Sequence, residues 1–274
     1  MLKHPMLKYV KEEGPSGMRF PHILCPGCGA GQVLNYTLHA VDDLINQTGA
    51  KKDDFVFISG VGCSSRLTSH YLDFDSGWTL HGRALPIATG ALLANPDLKI
   101  IIFTGDGDAA AIGGNHFIHA FRRNIDVTVI CVNNGLYGMT GGQVAPTTLP
   151  FANTPTTPYG NIEDAFDLCK LAEVAGASYV SRWITAQPIQ IIKAIKKGLA
   201  NNGASFIEIL SQCPVHEHET PVASMNALKE LTVPVKQAMG SDKIPVGELH
   251  FAPRPTWTEK YEAVIEQAMR QAHD

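Results

Sequence analysis

The sequence lacks any long apolar run and any cluster of basic residues. No stretch of the 274 residues approaches the roughly 20 apolar side chains that a membrane-spanning helix needs. The net charge is −4, and no basic cluster offers a surface to nucleic acid or to an anionic membrane. We therefore expect neither a membrane nor a nucleic acid among the partners, and small soluble substrates fit better.

The N-terminal region also lacks the apolar centre of a signal peptide. Residues 1–17 carry Lys, Glu and Pro at the positions where such a centre would lie. We therefore expect a cytoplasmic protein. In that compartment the six cysteines are expected to be metal ligands or core residues rather than disulfide partners.

Apolar residues make up 45% of the chain and are spread evenly, which predicts one large core and not two independent domains. Residues 1–22 scatter Pro and Gly among mixed charges, a pattern typical of an arm that lies on a partner's surface. We predict an α/β domain over residues 23–214. Residues 215–274 are expected to pack on this domain or on a partner, with an amphipathic helix over Glu259–Ala272.

Short β-branched runs that end in polar residues alternate with helical patterns along the chain. The predicted strands are Phe55–Ser59, Lys99–Phe103, Val127–Val132, a strand near 178–180 and Ser205–Leu210. The predicted helices are Gln32–Gln47, Ile87–Leu93, Ile112–Arg123, Ile162–Ala175 and Pro188–Ala200. This alternation predicts an open, doubly wound parallel sheet of about five or six strands with helices on both faces.

Two of these strands end in residues that suit a metal ion. Asp106 follows the strand Lys99–Phe103, and Asn134 follows the strand Val127–Val132. Since the carboxyl ends of neighbouring parallel strands open onto one crevice, both side chains should face the same ligand. Their oxygens, with a backbone carbonyl, suit a magnesium ion that keeps other positions for a diphosphate. Gly-Asp-Gly alone is typical of an ordinary turn, but the paired asparagines favour the magnesium interpretation.

Four of the cysteines are predicted to lie at this same edge. Cys25 and Cys28 form a Cys-x-x-Cys pair on a loop at a helix start, which fits half of a zinc site, a redox dithiol or half of an iron–sulfur site. Cys63 and Cys213 each follow a predicted strand. Together the four could hold zinc or a cubane cluster, and spacing does not separate the two. The remaining two, at positions 131 and 169, are interpreted as buried free cysteines.

Gly105-Asp106-Gly107-Asp108 followed by Asn133-Asn134 resembles the magnesium and diphosphate signature of thiamine-diphosphate enzymes. The resemblance narrows to the β subunit of 2-oxoacid:ferredoxin oxidoreductases. It extends from about Cys25 to about Cys213, and beyond the signature it is carried by Asn115-His116, His119, Arg122-Arg123-Asn124 and Tyr137-Gly138-Met139-Thr140-Gly141-Gly142-Gln143.

This resemblance implies a set of site residues. Magnesium would be held by Asp106, Asn134 and the Leu136 carbonyl, and one 4Fe-4S cluster by the four cysteines 25, 28, 63 and 213. Thiamine diphosphate would contact Val61, Gly62, Cys63, Ser64, Leu80, His81, Gly82, Arg83, Gly105, Gly107, Asp108, Gly138, Met139 and Thr140.

The resemblance also implies an activity and partners. It implies coenzyme A-dependent oxidative decarboxylation of a 2-oxoacid, or the reverse carboxylation, with electrons passed through the cluster to ferredoxin. The chain has no second glycine-rich domain that could hold the other half of the cofactor. That half, with the glutamate that activates the cofactor, is expected on a separate α subunit, in an αβ unit paired as (αβ)2.

The substrate is expected to be 2-oxoglutarate. Residues 134–143 resemble the 2-oxoglutarate and broad-range branch of the family more than the pyruvate branch. Arg66, three residues after Cys63, could bind the distal carboxylate of 2-oxoglutarate, or it could be a surface or subunit-pairing arginine. The alternatives are a broad-range or pyruvate-type oxidoreductase, a non-redox thiamine-diphosphate decarboxylase and a non-catalytic zinc-binding subunit.

Two further segments are given less specific interpretations. The Thr- and Pro-rich residues Thr147–Tyr159 are predicted to form a long surface loop that could cover the site. The residues after Cys213, which include His216 and His218, are interpreted as a solvated polar turn and not as a metal site.

Overall fold

The computed structural model describes residues 4–10, 22–68 and 71–273. They form one large eight-stranded sheet with helices on both faces. Its strands are β1 Phe55–Ser59, β2 Asp75–Trp78, β3 Lys99–Gly105, β4 Val127–Asn133, β7 Tyr179–Ile184, β8 Ser205–Leu210, β9 Thr232–Pro234 and β10 Ile244–Phe251. A separate small hairpin pairs β5 Leu136–Tyr137 with β6 Gln143–Val144.

The helices alternate with these strands. They are α1 Pro5–Tyr9, α2 Gly29–Thr48, α3 Ala84–Ala94, α4 Gly114–Arg123, α5 Leu168–Ala175, α6 Pro188–Ala200, α7 Pro214–Glu217, α8 Pro221–Leu231 and α9 Trp257–His273. None of the helices within the described ranges is long and apolar enough to cross a membrane.

The predicted parallel sheet is confirmed, and it is wider than expected. The six strands β2-β1-β3-β4-β8-β7 are all parallel to their neighbours. Beyond β7 the sheet continues into β10, which is antiparallel, and then β9. Sequence patterns missed β10 because Pro245 and Gly247 within it are typical of loops.

The sheet separates two cores, and strand alternation assigns residues to them. In β3, Ile101 and Phe103 belong to the core that includes residues of α2 and α6. Ile100 and Ile102 face the opposite core, which is built with residues of α3, α4 and α5. Because both faces of the central strands are covered, these strands are buried over most of their length and consist mainly of apolar residues.

Two helices begin later than the sequence pattern predicted. Helix α5 begins at Leu168 and not at Ile162, since the Asp167 side chain accepts a hydrogen bond from the Lys170 amide and caps the helix there. Residue Ile162 is 94% exposed. The crossover predicted over Ile112–Arg123 begins with a π-helical turn over Asp108–Ile112, and α4 follows from Gly114.

Residues near the start of the chain pack on their own domain, and the expected place of the arm on a partner's surface stays a prediction. Tyr9 and Val10 are buried in the core beside α2, and both Lys8 and Tyr9 donate hydrogen bonds to Asp42. The rest of the expected arm, residues 1–3 and 11–21, lies outside the described residues.

The predicted C-terminal amphipathic helix is present as α9. Its first residue, Trp257, packs against the core that contains α3 to α5. The following turns are exposed, including the apolar side chains Tyr261, Val264, Ile265 and Met269. Only the beginning of this helix is therefore held by the domain.

Candidate functional site

A cleft opens at the carboxyl ends of the adjacent strands β1, β3, β4 and β8. It is lined by Cys28, Ala30, Val61, Gly62, Cys63, Ser64, His81, Gly105, Asp106, Gly107, Asp108, Val132, Asn134, Leu136, Tyr137, Gly138, Met139, Thr140, Ser211 and Gln212. Parallel strands deliver their loops to one edge of the sheet, which is why segments far apart in sequence meet here.

Most residues that the sequence assigned to a cofactor site line this cleft. Five assigned residues lie outside the cleft lining: Leu80, Gly82, Arg83, Cys25 and Cys213. Of these, Leu80 is 79% exposed. Tyr137, Ser211 and Gln212 line the cleft without having been assigned. The last two could have been found, because they stand between a predicted strand and Cys213.

The three magnesium ligands implied by the resemblance converge in the structure. The Asn134 carboxamide has one terminal atom 2.8 Å from the Leu136 carbonyl oxygen and 3.1 Å from Asp106 Oδ1. If the amide nitrogen stands there, it donates to both oxygens. If the amide oxygen stands there, three oxygens face one another, and a cation between them would offset their repulsion. The donor set therefore fits a hard divalent ion.

Asp106 is almost completely buried, with 1% of its surface exposed. Burial raises the pKa of its carboxyl group to about 6, although hydrogen bonds from Thr147 and from the Asn134 amide oppose the shift. Thr147 Oγ1 donates to Oδ2, and the Asn134 amide lies 3.4 Å from Oδ1. The protein therefore compensates this negative charge only in part, as expected of a carboxylate that binds a cation.

The sequence analysis did not identify Thr147 as a site residue. Its hydroxyl contacts Asp106 from a distant loop, and such a contact produces no periodic pattern in the sequence. Thr147 belongs to the segment that was predicted to cover the site. Its neighbour Thr148 donates from Oγ1 to the Gly135 carbonyl at 2.6 Å. The start of this loop is therefore attached to both the Asp106 and the Asn134 segments.

Asp108 joins the loops on the other side of the cleft. Its carboxylate accepts from the Gly82 amide at 2.7 Å, the Val61 amide at 3.2 Å and Thr104 Oγ1 at 2.7 Å. His81 Nδ1 lies 2.8 Å from the same carboxylate. Gly82 has φ +69°, and a Cβ there would lie 2.6 Å from the Gly113 amide nitrogen, so only glycine fits.

The four cysteines implied as cluster ligands lie in one region. Cys28 and Cys213 precede helices α2 and α7, and a Cβ on Gly138 would lie 3.5 Å from Cys63 Sγ. Burial raises the pKa of the Cys28, Cys63 and Cys213 thiols, and in each case the negative charge of neighbouring thiolates, Cys25 among them, acts in the same direction. Thiols that disfavour one another's ionisation suit a group with positive metal centres.

Within the described ranges, no three His, Cys, Asp or Glu side chains are close enough to hold a metal ion. The magnesium set does not depend on such a group, since two of its donors are an amide and a carbonyl. In a cubane cluster each thiolate binds a different iron atom, so its ligands need not meet at a single ion. Cys131 and Cys169 are buried in the core, as predicted.

Two polar atoms beside the cleft have no hydrogen-bond partner among the described residues. They are Ser64 Oγ, on a side chain that lines the cleft, and Arg66 Nε. One terminal nitrogen of Arg66 lies 4.0 Å from Met139 Sδ. Buried polar groups without partners are costly, so both groups are available to a ligand.

His216 differs from its interpretation as part of a solvated turn. It lies on the short helix α7, and its Nε2 is 2.8 Å from the Gly138 carbonyl oxygen. The helical turn after Cys213 directs this side chain back to the cleft, whereas His218 is exposed as predicted. His216 therefore links the Cys213 segment to a cleft-lining loop.

We predict that Asp108→Asn loosens the loops of Val61 and Gly82. Both backbone amides donate to one oxygen of the buried carboxylate, and a neutral amide oxygen in its place accepts more weakly. Hydrogen bonds to charged groups contribute about 1.5–3 kcal/mol, against about 0.5–1.5 kcal/mol for neutral ones. Thermal unfolding should show lower stability, and amide hydrogen exchange should accelerate at both loops. Asp73→Asn, which alters an exposed ion pair with Lys52, is the matched control. Equal stability loss in both variants would contradict this role of Asp108.

Comparisons with known proteins agree with this geometry. A family model for the thiamine pyrophosphate enzyme C-terminal TPP binding domain matches residues 60–209. The 2-oxoglutarate synthase subunit KorB of Methanocaldococcus jannaschii is 48% identical over 276 residues, which cover 96% of this chain and 98% of that protein. The β subunit of 2-oxoacid:ferredoxin oxidoreductase 2 from Aeropyrum pernix is 38% identical and covers 71% of this chain and 61% of that protein.

A solved structure is also similar. It is the 2-oxoglutarate:ferredoxin oxidoreductase from Magnetococcus marinus with 2-oxoglutarate, coenzyme A and succinyl-CoA bound. The TM-score is 0.85 at 31% sequence identity, and the match covers 96% of this chain and 90% of that one. The similarity therefore spans nearly the whole fold.

Proposed function

The chain belongs to the family of thiamine-diphosphate-binding β subunits of 2-oxoacid:ferredoxin oxidoreductases, and we propose that its enzyme acts on 2-oxoglutarate. The reaction is oxidative decarboxylation: the bond to carbon dioxide breaks, coenzyme A receives the succinyl group, and the electron pair passes to ferredoxin. The reverse, reductive carboxylation, would use the same site. The cofactors are thiamine diphosphate, Mg²⁺ and one 4Fe-4S cluster.

The observation that supports this proposal is the meeting of two kinds of donor in one cleft. A carboxylate oxygen of Asp106 and the carbonyl oxygen of Leu136 face the Asn134 carboxamide, which would turn its own oxygen toward a bound cation. Cys28 and Cys63 line the same cleft, with Cys25 and Cys213 in electrostatic reach of them. Oxygen donors suit Mg²⁺ and a diphosphate, whereas thiolates suit an iron–sulfur cluster. A decarboxylation coupled to electron transfer needs both.

Choice of substrate is supported by the relatives. A 2-oxoglutarate synthase subunit is 48% identical over nearly the whole chain, whereas a 2-oxoacid oxidoreductase β subunit is 38% identical over 71% of it. The similar solved structure contains 2-oxoglutarate. These similarities favour 2-oxoglutarate over a broad-range or pyruvate-type activity.

The chain's own residues bind and position the reacting groups. Asp106 and Asn134 would hold the magnesium ion, and the loop containing Gly138 and Met139 would line the cofactor. Asp108 fixes the opposite wall through the Val61 and Gly82 amides. When bound, thiamine diphosphate supplies the carbanion chemistry that cleaves the bond to carbon dioxide, and the cluster supplies one-electron transfer.

We infer that the active unit is αβ, paired as (αβ)2. The cleft supplies the diphosphate half of a cofactor site, and the activating glutamate is assigned to the α subunit. All six cysteines are free, which fits a reducing cytoplasmic compartment.

Two alternative functions would not require all of these residues. A non-redox thiamine-diphosphate decarboxylase does not require four clustered thiols. A zinc-binding, non-catalytic subunit has no use for the oxygens of Asp106 and Asn134. Analysis of iron and acid-labile sulfide in the purified protein separates both from the proposed enzyme.

The first test is the variant Asp106→Ala. It should abolish magnesium-dependent binding of thiamine diphosphate, because the metal loses its charged ligand, while the sheet remains folded. Calorimetric titration of the αβ complex measures the affinity, and circular dichroism checks the fold. The exposed Asp97→Ala is the control. Unchanged affinity in Asp106→Ala would refute the proposed metal site.

The cysteines provide a second test. Replacing any one of Cys25, Cys28, Cys63 or Cys213 by Ala should lose or convert the cluster, because each thiolate binds one iron. Electron paramagnetic resonance of the reduced protein reports the cluster. The buried cysteines 131 and 169 are built-in controls, and their variants should keep the wild-type spectrum. A spectrum that depends on Cys131 and not on Cys213 would overturn the ligand set.

Arg66 tests the substrate assignment. We propose that its guanidinium, which has an unpartnered buried nitrogen, binds the distal carboxylate of 2-oxoglutarate. Arg66→Ala should lose roughly 1.5–3 kcal/mol of binding, which raises the KM for 2-oxoglutarate about 10- to 150-fold. The KM for pyruvate should stay nearly unchanged. Steady-state kinetics of the αβ complex with a viologen acceptor measure both, with the exposed Arg270→Ala as control.

Two results would contradict these assignments. An equal loss on both substrates would remove Arg66 from the specificity role. A parent enzyme that prefers pyruvate would overturn 2-oxoglutarate as the substrate.

A further inference from the structure

A pair of charged residues is buried inside the sheet, away from the cleft. Arg182 on β7 and Glu208 on β8 stand directly opposite each other in the strand register. They are 4% and 1% exposed, and Arg182 Nε donates to Glu208 Oε2. Charged residues are rarely buried this deeply, and such a pair is often no more stabilising than apolar residues of similar volume. Its position therefore calls for an explanation beyond fold stability.

The second oxygen of this carboxylate contacts the chain that leads to the cleft. Glu208 Oε1 accepts a hydrogen bond from Asn133 Nδ2 at 2.7 Å. Asn133 is the last residue of β4 and immediately precedes Asn134. With its amide nitrogen held by Glu208, the Asn133 amide oxygen is directed the other way, where it accepts from the Gly135 amide at 2.9 Å.

These two hydrogen bonds determine the shape of the turn that contains Asn134. The bond from the Asn133 side chain to the Gly135 amide closes an Asx turn, and Gly135 adopts φ +68°, a left-handed conformation that glycine adopts without strain. Asn134 is the middle residue of this turn. Its amide lies 3.4 Å from Asp106 Oδ1, and its carboxamide faces the Leu136 carbonyl.

We propose that Glu208 and Arg182 are positioning residues for the metal ligand Asn134 and act on it through Asn133. The proposal rests on the proposed function only in taking Asn134 as a magnesium ligand. Arg182 holds the Glu208 carboxylate in place, Glu208 orients the Asn133 carboxamide, and Asn133 closes the turn. Partners of metal ligands commonly control ligand geometry in this way.

Arg182 and Glu208 have further hydrogen-bond partners on the side away from the cleft, and these partners hold both side chains in place. A terminal nitrogen of Arg182 donates to Asp167, the residue that caps helix α5. Cys169 Sγ also donates to Glu208 Oε2, at 3.2 Å. Both carboxylate oxygens of Glu208 therefore have partners, and Arg182 is held between two carboxylates. These contacts also explain why position 133 is an asparagine. An aspartate there would place a second carboxylate against Glu208 instead of a hydrogen-bond donor.

The first experiment uses Glu208→Gln and Asn133→Asp in the full chain, co-purified with the α subunit. Glu208→Gln places an amide nitrogen against either Asn133 Nδ2 or Arg182 Nε, which are both donors, and Asn133→Asp places a second carboxylate against Glu208. Neither substitution changes the side-chain volume much. Calorimetric titration with Mg²⁺ and thiamine diphosphate should show affinity weaker by roughly 10- to 100-fold. Glu248→Gln, which changes an exposed carboxylate paired with Lys197, is the matched control and should bind as the parent does. Parent-like affinity in both test variants would overturn the proposal.

A second variant separates positioning from a merely structural role. The double substitution Arg182→Met and Glu208→Met removes both charges and leaves apolar side chains of similar length. It should therefore unfold at a higher temperature than Glu208→Met alone, which leaves a buried arginine without this partner. The double substitution also leaves Asn133 Nδ2 without its acceptor, so magnesium-dependent affinity should still fall. If the double variant keeps the magnesium-dependent affinity of the parent, the pair does not position Asn134 and the proposal is wrong.

A third measurement needs no cofactor and so is independent of the proposed function. The Gly135 amide is protected by the Asn133 side chain, and its hydrogen exchange should become about tenfold faster in Glu208→Gln while exchange in β8 is unchanged. Unchanged exchange at Gly135 would refute the positioning role. A parent protein that fails to bind Mg²⁺ and thiamine diphosphate, with the exchange result as expected, would instead refute the proposed function.

Discussion

Buried carboxylates at the carboxyl end of the sheet are the feature on which the site depends. A charge removed from water must be compensated by the protein or by a ligand. Asp108 is compensated by backbone amides and a hydroxyl, and Glu208 by Arg182 and Asn133. Asp106 has fewer strong partners, and burial raises its pKa to about 6. It is therefore the carboxylate best suited to bind the proposed divalent cation.

The same principle explains the division of labour along the cleft. The compensated carboxylates shape loops: Asp108 holds the wall that contains Val61 and Gly82, and Glu208 acts on the turn that contains Asn134. The protein compensates the negative charge of the other groups less completely. These groups are Asp106 and the thiols of Cys28, Cys63 and Cys213, whose pKa is raised by burial and by neighbouring thiolates, and they suit positively charged ligands. Cofactor binding and loop geometry thus rest on one set of buried charges.

The proposed cofactor site and the proposed cluster ligands adjoin each other at the cleft. Cys63 lies beside Gly138, so a proposed cluster ligand adjoins a loop that lines the cofactor cleft. His216, three residues after Cys213, bonds to the carbonyl of that same Gly138. A movement of the loop around Gly138 would therefore displace the segments that contain Cys63 and Cys213.

The sequence alone determined the doubly wound sheet, the family and most of the cleft. Buried parallel strands are apolar on both faces, and their ends are marked by Gly, Asp and Asn, so strands such as Ser205–Leu210 and residues such as Asp106 are readable from local pattern. Local pattern misjudged β10. Its Pro245 lies in the part of the strand that pairs with β9 alone, and pairing with β7 begins at Gly247, so the missing proline N–H is not needed on the β7 side. Only the tertiary structure decided that Thr147 reaches Asp106, that His216 reaches Gly138 and that Glu208 orients Asn133. Each of these contacts joins side chains far apart in sequence, and their partners are chosen by packing and by the need to satisfy buried polar groups, which no periodicity of the chain records.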